Sequence, residues 1–345
     1  MRSYFSLQDL VPKIGGFSLK LEPEFFRILL CDAARSERPW REKAFVEKTG
    51  YMYNSSVGGS SGLSLAFRQN RALKVATLAK ILSRSQYSWN DVERHFCWMR
   101  AGRHDGTFKP SFPLELNDDL GLIAGHILGD GSIDGRYSQV FFTNSDVALI
   151  REFSAAMRRV FGVEPRVWIQ RPDYENGSKW ICRITLAKVP KHAQIGLFYP
   201  TGCGLLLREL LGDFAVGKMK TITPEIIASP SEFQRTLVRA FFDDEGSVDL
   251  FRSLRFHNDN KQLLIHVQQV LQSFGIVSCP IRTYEHQGKT RCFFNVCSYR
   301  NFVIYEREIG VTSPAKKRKL SELLSHIKSG RKFNAISRRM AAEIA

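Results

Sequence analysis

The stretch Leu120-Gly121-Leu122-Ile123-Ala124-Gly125-His126-Ile127-Leu128-Gly129-Asp130-Gly131-Ser132-Ile133 has a partner farther along the chain, Thr236-Leu237-Val238-Arg239-Ala240-Phe241-Phe242-Asp243-Asp244-Glu245-Gly246-Ser247-Val248. Each reads as an apolar helix ending in an acid, then Gly-Ser and an aliphatic residue. The segments downstream of the two acids also match. The first copy continues through a hairpin-sized segment to Val140-Phe141-Phe142-Thr143-Asn144, then a helix through Ile150 and Met157 to Phe161-Gly162-Val163. The second continues through Leu254-Arg255-Phe256-His257-Asn258, then a helix through Leu264 and Val270 to Phe274-Gly275-Ile276. From acid to glycine is 32 residues in one copy (Asp130 to Gly162) and 30 in the other (Glu245 to Gly275). A period kept this closely implies one supersecondary unit used twice.

A second hairpin is expected in each copy: Arg166 to Arg171 with Trp180 to Leu186 around Asn176-Gly177, and Ile281 to His286 with Thr290 to Ser298 around Gln287-Gly288. Each half then reads helix-strand-strand-helix-strand-strand-helix, an α+β fold of two pseudo-symmetric αββαββα repeats spanning 114–228 and 231–328. The strands carry Arg136, Arg166, Trp168, Gln170, Arg171, Lys179 and Arg183 in the first repeat, and Arg255, Arg282, Tyr284, Lys289 and Arg291 in the second. One sheet face can bury apolar residues while the other offers these side chains to nucleic acid.

Gly121, Gly125 and Gly129 recur every fourth residue on nearly one helical face, with Ala240 on the counterpart face of the second helix. Two such helices can pack closely along a central pseudo-dyad. Packing does not explain the acids, because a helix carboxyl end already carries partial negative charge. Asp130 and Glu245 brought together make an electronegative spot that a divalent cation can neutralise, with the Gly129 carbonyl and Asp244 as further oxygen donors. Such a cation could activate water against a phosphodiester and stabilise the leaving oxygen.

Composition agrees with this chemistry. Fifty Lys plus Arg against 34 Asp plus Glu leave +16 over 345 residues, the field of a protein whose partner is a polyanion. With 43% hydrophobic residues and 13 Pro, collagen-like, wholly disordered and disulfide-scaffold classes are excluded. No apolar run is long enough to span a membrane, and the opening residues lack the core of a signal peptide. Seven scattered cysteines without a C-x-x-C pair read as free thiols in a reducing cytoplasm.

Residues 1–110 are expected to form a small, mostly helical domain. Residues 1–60 show no sustained periodicity, and the Gly/Ser-rich 55–62 reads as a linker. From about residue 63 a helix-turn-helix is a candidate. Leu73, Ala76, Leu78, Ile81 and Leu82 mark one helix; Ser88, with Asp91 three residues on, caps a second whose stripe is Val92, Phe96 and Met99. Residues 329–345 form a basic tail that continues the run Lys316-Lys317-Arg318-Lys319, suited to phosphate backbone.

At the two acidic helices the sequence resembles the LAGLIDADG homing endonucleases, on Ile123 to Gly131 and Val238 to Gly246. The resemblance covers about 114–328 and leaves out the amino-terminal part. It departs from the family pattern at His126, Leu128 and Arg239. It implies a two-repeat monomer whose sheets form a saddle over a long, asymmetric double-stranded DNA site. It further implies cleavage of both strands with Mg²⁺ held by Asp130 and Glu245, Ca²⁺ being a non-catalytic substitute. Lysines near the scissile phosphates are implied at Lys220, with Lys218 as a rival, and at Lys316 or Lys317; Asn144 and Asn258 resemble a residue that contacts active-site water. No splice-type nucleophile lies near Met1 and no His-Asn ends the chain, so a free-standing protein rather than an intein is expected. The function expected is a site-specific double-strand DNA endonuclease. The alternatives are a non-catalytic DNA-binding regulator derived from one, or an intron RNA maturase binding structured RNA.

Overall fold

The computed structural model describes residues 4–35, 72–102, 105–170, 180–182, 194–217, 220–249, 253–286 and 288–328. The linker at 55–62, Arg171, Lys179, Arg183, Lys218 and the tail at 329–345 lie outside them. Among the described residues no helix is long and apolar enough to cross a membrane.

The amino-terminal part comprises β1 (Tyr4–Phe5), α1 (Leu7–Ile14), β2 (Ser18–Leu21), α2 (Pro23–Arg35), β3 (Leu73–Lys74), α3 (Val75–Leu82), α4 (Trp89–His95), β4 (Phe96–Arg100) and β5 (Leu114–Glu115). The first repeat continues as α5 (Asp118–Leu128), β6 (Gly131–Ile133), β7 (Val140–Asn144), α6 (Val147–Phe161), β8 (Arg166–Gln170), β9 (Trp180–Cys182), β10 (Gln194–Tyr199) and α7 (Thr201–Leu211). After the short α8 (Pro224–Ile227), the second runs α9 (Ser231–Glu245), β11 (Gly246–Asp249), β12 (Ser253–Asn258), α10 (Lys261–Ser273), β13 (Arg282–His286), β14 (Lys289–Val296) and α11 (Tyr299–Glu308), and then α12 (Pro314–Lys328).

The second repeat has the expected αββαββα order, its sheet running β11-β12-β14-β13. The first has one strand more: its sheet runs β6-β7-β10-β8-β9. The expected hairpin partners β8 and β9 do pair, but β9 sits at the edge, and β10, not expected as a strand, takes the place between β7 and β8 that β14 takes in the second sheet. The physical reason is burial. Ile195, Leu197 and Tyr199 of β10 are all but inaccessible and supply the apolar face that a central strand needs.

The amino-terminal part is less helical than expected. Both helices of the candidate helix-turn-helix are present, though the first begins only at Val75, Leu73 being paired with Leu19 in β3, and Ser88 caps α4 in a reciprocal box with Asp91. The second helix, however, ends at His95, and Phe96 and Met99 belong to β4, paired with β2 in the order β3-β2-β4. Met99 and Phe108 also exchange backbone hydrogen bonds of 2.8 and 3.0 Å, so the ladder on both sides of β4 outweighs one more helical turn. Residues 1–60, without visible periodicity, nevertheless hold α1, capped by Ser6 and Asp9, and α2.

This part is sewn to the first repeat. α7 begins after Pro200, which has no capping side chain, and Asp105 accepts from the Thr201 and Gly202 amides at 3.0 Å each. Asp105→Ala is therefore expected to cost about 1–2 kcal/mol, measured as a lower urea midpoint with an unchanged slope. An unchanged midpoint would contradict the cap.

α6 and α10 end as the repeat requires, with Gly162 and Gly275 both at positive φ (56° and 76°). At Gly162 a Cβ would also meet the Lys109 carbonyl oxygen at 2.5 Å. The outer face of the second sheet carries Arg255, His257, Arg282, Tyr284, Arg291 and Phe293, while Leu254, Phe256, Cys292, Phe294 and Val296 are buried beneath it.

Candidate active site

α5 and α9 cross with almost nothing between their backbones. A Cβ added to Gly121 would overlap the Phe233 carbonyl oxygen, and one added to Gly125 the Leu237 carbonyl oxygen. At Gly129 it would stand 2.5 Å from Asp244 Oδ2. The small-residue face expected from the fourfold spacing is thus the contact face, and it brings the two carboxyl ends together.

Asp130 lies two residues beyond α5, and Glu245 is the last residue of α9. Each is met by the asparagine that ends the second strand of its own repeat. Asn144 Nδ2 donates to Asp130 Oδ2 at 3.0 Å, and Asn258 Nδ2 donates to Glu245 Oε1 at 3.2 Å. The two amides are oriented alike. Asn144 Oδ1 accepts from the Asp146 N–H at 2.8 Å and Asn258 Oδ1 from the Asn260 N–H at 2.9 Å, while Asp146 and Asn260 cap the helices that begin there. With the oxygen held by the turn, only the amide nitrogen can reach the acid.

Two lysines complete the symmetry from unequal positions. Lys220, four residues before Pro224, donates to the Gly129 carbonyl at the end of α5. Lys316, two residues after Pro314, donates to the Phe242 and Asp243 carbonyls of α9 at 2.8 and 2.6 Å. A cation on a helix carboxyl end is favourable, whereas Lys316 to Lys319 crowd the first turn of α12, where the dipole disfavours them. Of the C-terminal alternatives, Lys316 turns inward and Lys317 is exposed.

The electrostatics are those of a crowded anionic spot. Burial, then the charge of Asp244, raises the Asp130 carboxyl to about 6. Burial, then the charge of Asp130, raises Glu245 to about 7. Burial lowers both Lys220 and Lys316 against the pull of the acids around them. Asp243 is likewise raised to about 6 by burial, although the Thr312 and Ser313 amides donate to it at 2.8 and 3.1 Å.

Asp244 is turned away from solvent. Its Oδ2 accepts from His126 Nδ1 at 3.0 Å and from the Asp130 amide at 3.3 Å, and its Oδ1 accepts from Asn144 Nδ2 at 3.2 Å. Burial alone would lower the His126 imidazole, but Asp244 and Glu152 outweigh it and raise the group to about 9. Among the described residues no three His, Cys, Asp or Glu side chains form a group fit to hold a metal by themselves. Two carboxylates and substrate phosphates are nevertheless a donor set that Mg²⁺ accepts.

Glu245 and Lys220 open into a cleft of about 880 Å³, lined also by Asn258, Asp259, Asn260, Lys261 and Arg291. Around it Arg255 lies over the Phe293 ring at 4.9 Å, and Arg291 pairs with Asp259 at 2.7 Å. Arg282 and Tyr284 are exposed on the same sheet. On the first sheet Arg166 is exposed and Trp168 packs on Phe198 at 5.5 Å, whereas Arg136, expected on a strand, lies in the turn between β6 and β7, over the Tyr137 ring at 5.0 Å. Gln170 and Lys289 take their places in β8 and β14. Sequence reasoning missed His257, 3.7 Å from Glu245, and Asn260. The latter was within reach, because Asp146 occupies the equivalent capping position in the first repeat.

Residues 232–310 match the LAGLIDADG-like domain family. Curated relatives include the DNA-directed RNA polymerase subunit Rpo1C of Methanocaldococcus jannaschii, 22% identical over 225 residues, 65% of this chain. Another is the replication factor C small subunit of Thermococcus kodakarensis, 24% identical over 272 residues, 74% of this chain. The chain spans 23% of the length of the first and 28% of the second. Among solved structures, I-DmoI in complex with DNA and Mn is 16% identical, covers 57% of this chain and 98% of its own, and has a TM-score of 0.38. The homing endonuclease I-WcaI bound to its DNA recognition sequence is 14% identical, with 60% and 87% covered and a TM-score of 0.40. Full-length DUF199/WhiA from Thermotoga maritima is 15% identical, with 67% of each chain covered and a TM-score of 0.40.

Proposed function

We propose that this protein is a site-specific endonuclease of double-stranded DNA that works with a divalent cation, Mg²⁺ being the natural choice. One observation carries the reading: two carboxylates converge at the ends of two abutting helices, each met by an amide, with a lysine on each helix end. The LAGLIDADG-like match of residues 232–310 and the net charge of +16 support it.

Asp130 and Glu245 would hold the cation, which when bound supplies activation of water and stabilisation of the leaving oxygen in phosphodiester hydrolysis. Asn144 and Asn258 orient the two carboxylates. Lys220 and Lys316 place ammonium donors where the negative charge of a phosphate develops. The basic outer face of the second sheet holds the duplex backbone, and exposed Arg255 and Arg282 with half-buried Arg291 are its candidates for base contacts.

A randomised duplex library incubated with the purified full chain and Mg²⁺ is expected to yield cut ends that converge on one long, asymmetric sequence. Specific binding without any cut end would favour a non-catalytic regulator instead, and selective retention of structured RNA would favour a maturase.

A further inference from the structure

The pseudo-symmetry that relates the repeats is broken at the helix crossing, and the breaks fit one another. Aligning the two acidic motifs sets His126 against Phe241, Gly129 against Asp244 and Ala124 against Arg239. Gly129 makes the space that Asp244 fills. The Asp244 side chain is fully buried, and each of its three hydrogen-bond donors, His126 Nδ1, the Asp130 amide and Asn144 Nδ2, comes from the first repeat.

His126 is equally buried, its ring 4.8 Å from that of Phe142 and 5.9 Å from that of Phe153. Its Nε2 faces Glu152 Oε2 at 3.9 Å. Glu152 Oε1 in turn accepts from Arg239 Nη2 and from the Thr312 hydroxyl, both at 3.1 Å. The polar chain therefore leaves the second repeat at Asp244, runs through His126 and Glu152 of the first, and returns to the second at Arg239 and Thr312. On the other side, Glu245 has Asn258 and the nearby His257, and among the described residues no hydrogen bond joins Asp244 to Glu245 or Asn258.

We infer that Asp244, braced by His126, is a positioning residue for one half of the site: it holds Asp130 and Asn144 in place and leaves Glu245 and Asn258 to be set independently. This rests on the nuclease reading for its consequence in cleavage, but not for its structural content. Buried partners of this kind act by orienting the groups that do the chemistry, and removing them typically lowers affinity or activity by about 10- to 100-fold. Taking away one member leaves a buried charge without its partner; replacing both with apolar groups leaves a dry, packed crossing.

The test compares Asp244→Ala, His126→Leu and the double variant H126L/D244A in the full chain. The double variant is expected to melt above either single variant. In the metal-free protein the Asn144 side-chain amide should shift and exchange faster with solvent than in the parent, while the Asn258 amide stays as it was. On a supercoiled plasmid with one target site and Mg²⁺, one strand should be cut about tenfold slower, so nicked circles accumulate where the parent gives linear DNA. Equal responses of the two asparagines, or equal slowing of both strands, would overturn the assignment. A parent that does not cut would sink the nuclease reading alone, because the amide comparison still decides the positioning role. Should the double variant not fold, Asp244→Asn is read through the same two amides, with a smaller effect expected at Asn144 and none at Asn258.

Discussion

Asp130→Asn and Glu245→Gln are each expected to lower DNA cleavage by on the order of a thousandfold while leaving DNA affinity nearly unchanged and thermal stability no lower than that of the parent. The last clause separates a working acid from a structural one. Both carboxyls titrate above their ordinary range, Asp130 near 6 and Glu245 near 7, because burial and neighbouring acids oppose ionisation. A folded-state pKa above the unfolded one means stabilisation that is fully present below about pH 4 and is lost as pH rises through 6 to 7. At pH 8 the two acids therefore weigh against the fold, and a neutral amide removes that weight. A divalent cation should do the same without mutation, raising the melting temperature more at pH 8 than at pH 6. Cleavage that survives both substitutions, or a parent whose melting is blind to divalent cations at pH 8, would contradict the assignment of these two acids.

Gly125→Leu is the second large effect, and it falls on folding. Any Cβ at this position meets the Leu237 carbonyl oxygen and lies 2.8 Å from the Ala240 Cβ, so relief requires moving a helix backbone rather than a side chain. A loss of more than about 4 kcal/mol is expected, beyond ordinary overpacking, because the crossing is rigid on both sides. The protein should be recovered largely insoluble, or melt without a cooperative transition. Gly16→Ala is the control: nothing lies within 4 Å of its added Cβ, and its melting should stay within a few degrees of the parent. Equal behaviour of the two variants would show that the helices do not cross this closely.

The second repeat was mostly legible in the chain itself. Its helix, strands and acid follow periodicities set by a few neighbouring residues, and the structure keeps their order. The first repeat was read one strand short. The Asn176-Gly177 turn signal accounted for β8 and β9, yet which strand lies inside a sheet depends on what covers it, and β10 is chosen by contacts with β7 and β8 distant in sequence. The amino-terminal helix that ended early has the same explanation, since Phe96 and Met99 suit a helix stripe and a strand equally until β2 is alongside.

The acids and the glycine face could be named from spacing alone, because each follows from a local period and from the repetition of that period, while the matched asparagines took their role from the family resemblance. Spacing alone singles out no lysine: Lys220, and Lys316 or Lys317, come from the family resemblance, and that Lys316 rather than Lys317 reaches the α9 carbonyls is set by the helix crossing. The partnership of Asp244 with His126 was hidden for the same reason. Sequence by itself determined that two acid-tipped helices exist and that they can approach; only the tertiary structure decided what fills the space where they meet, because hydrogen bonds and repulsions there join residues a hundred or more positions apart and have no signature in either segment read alone.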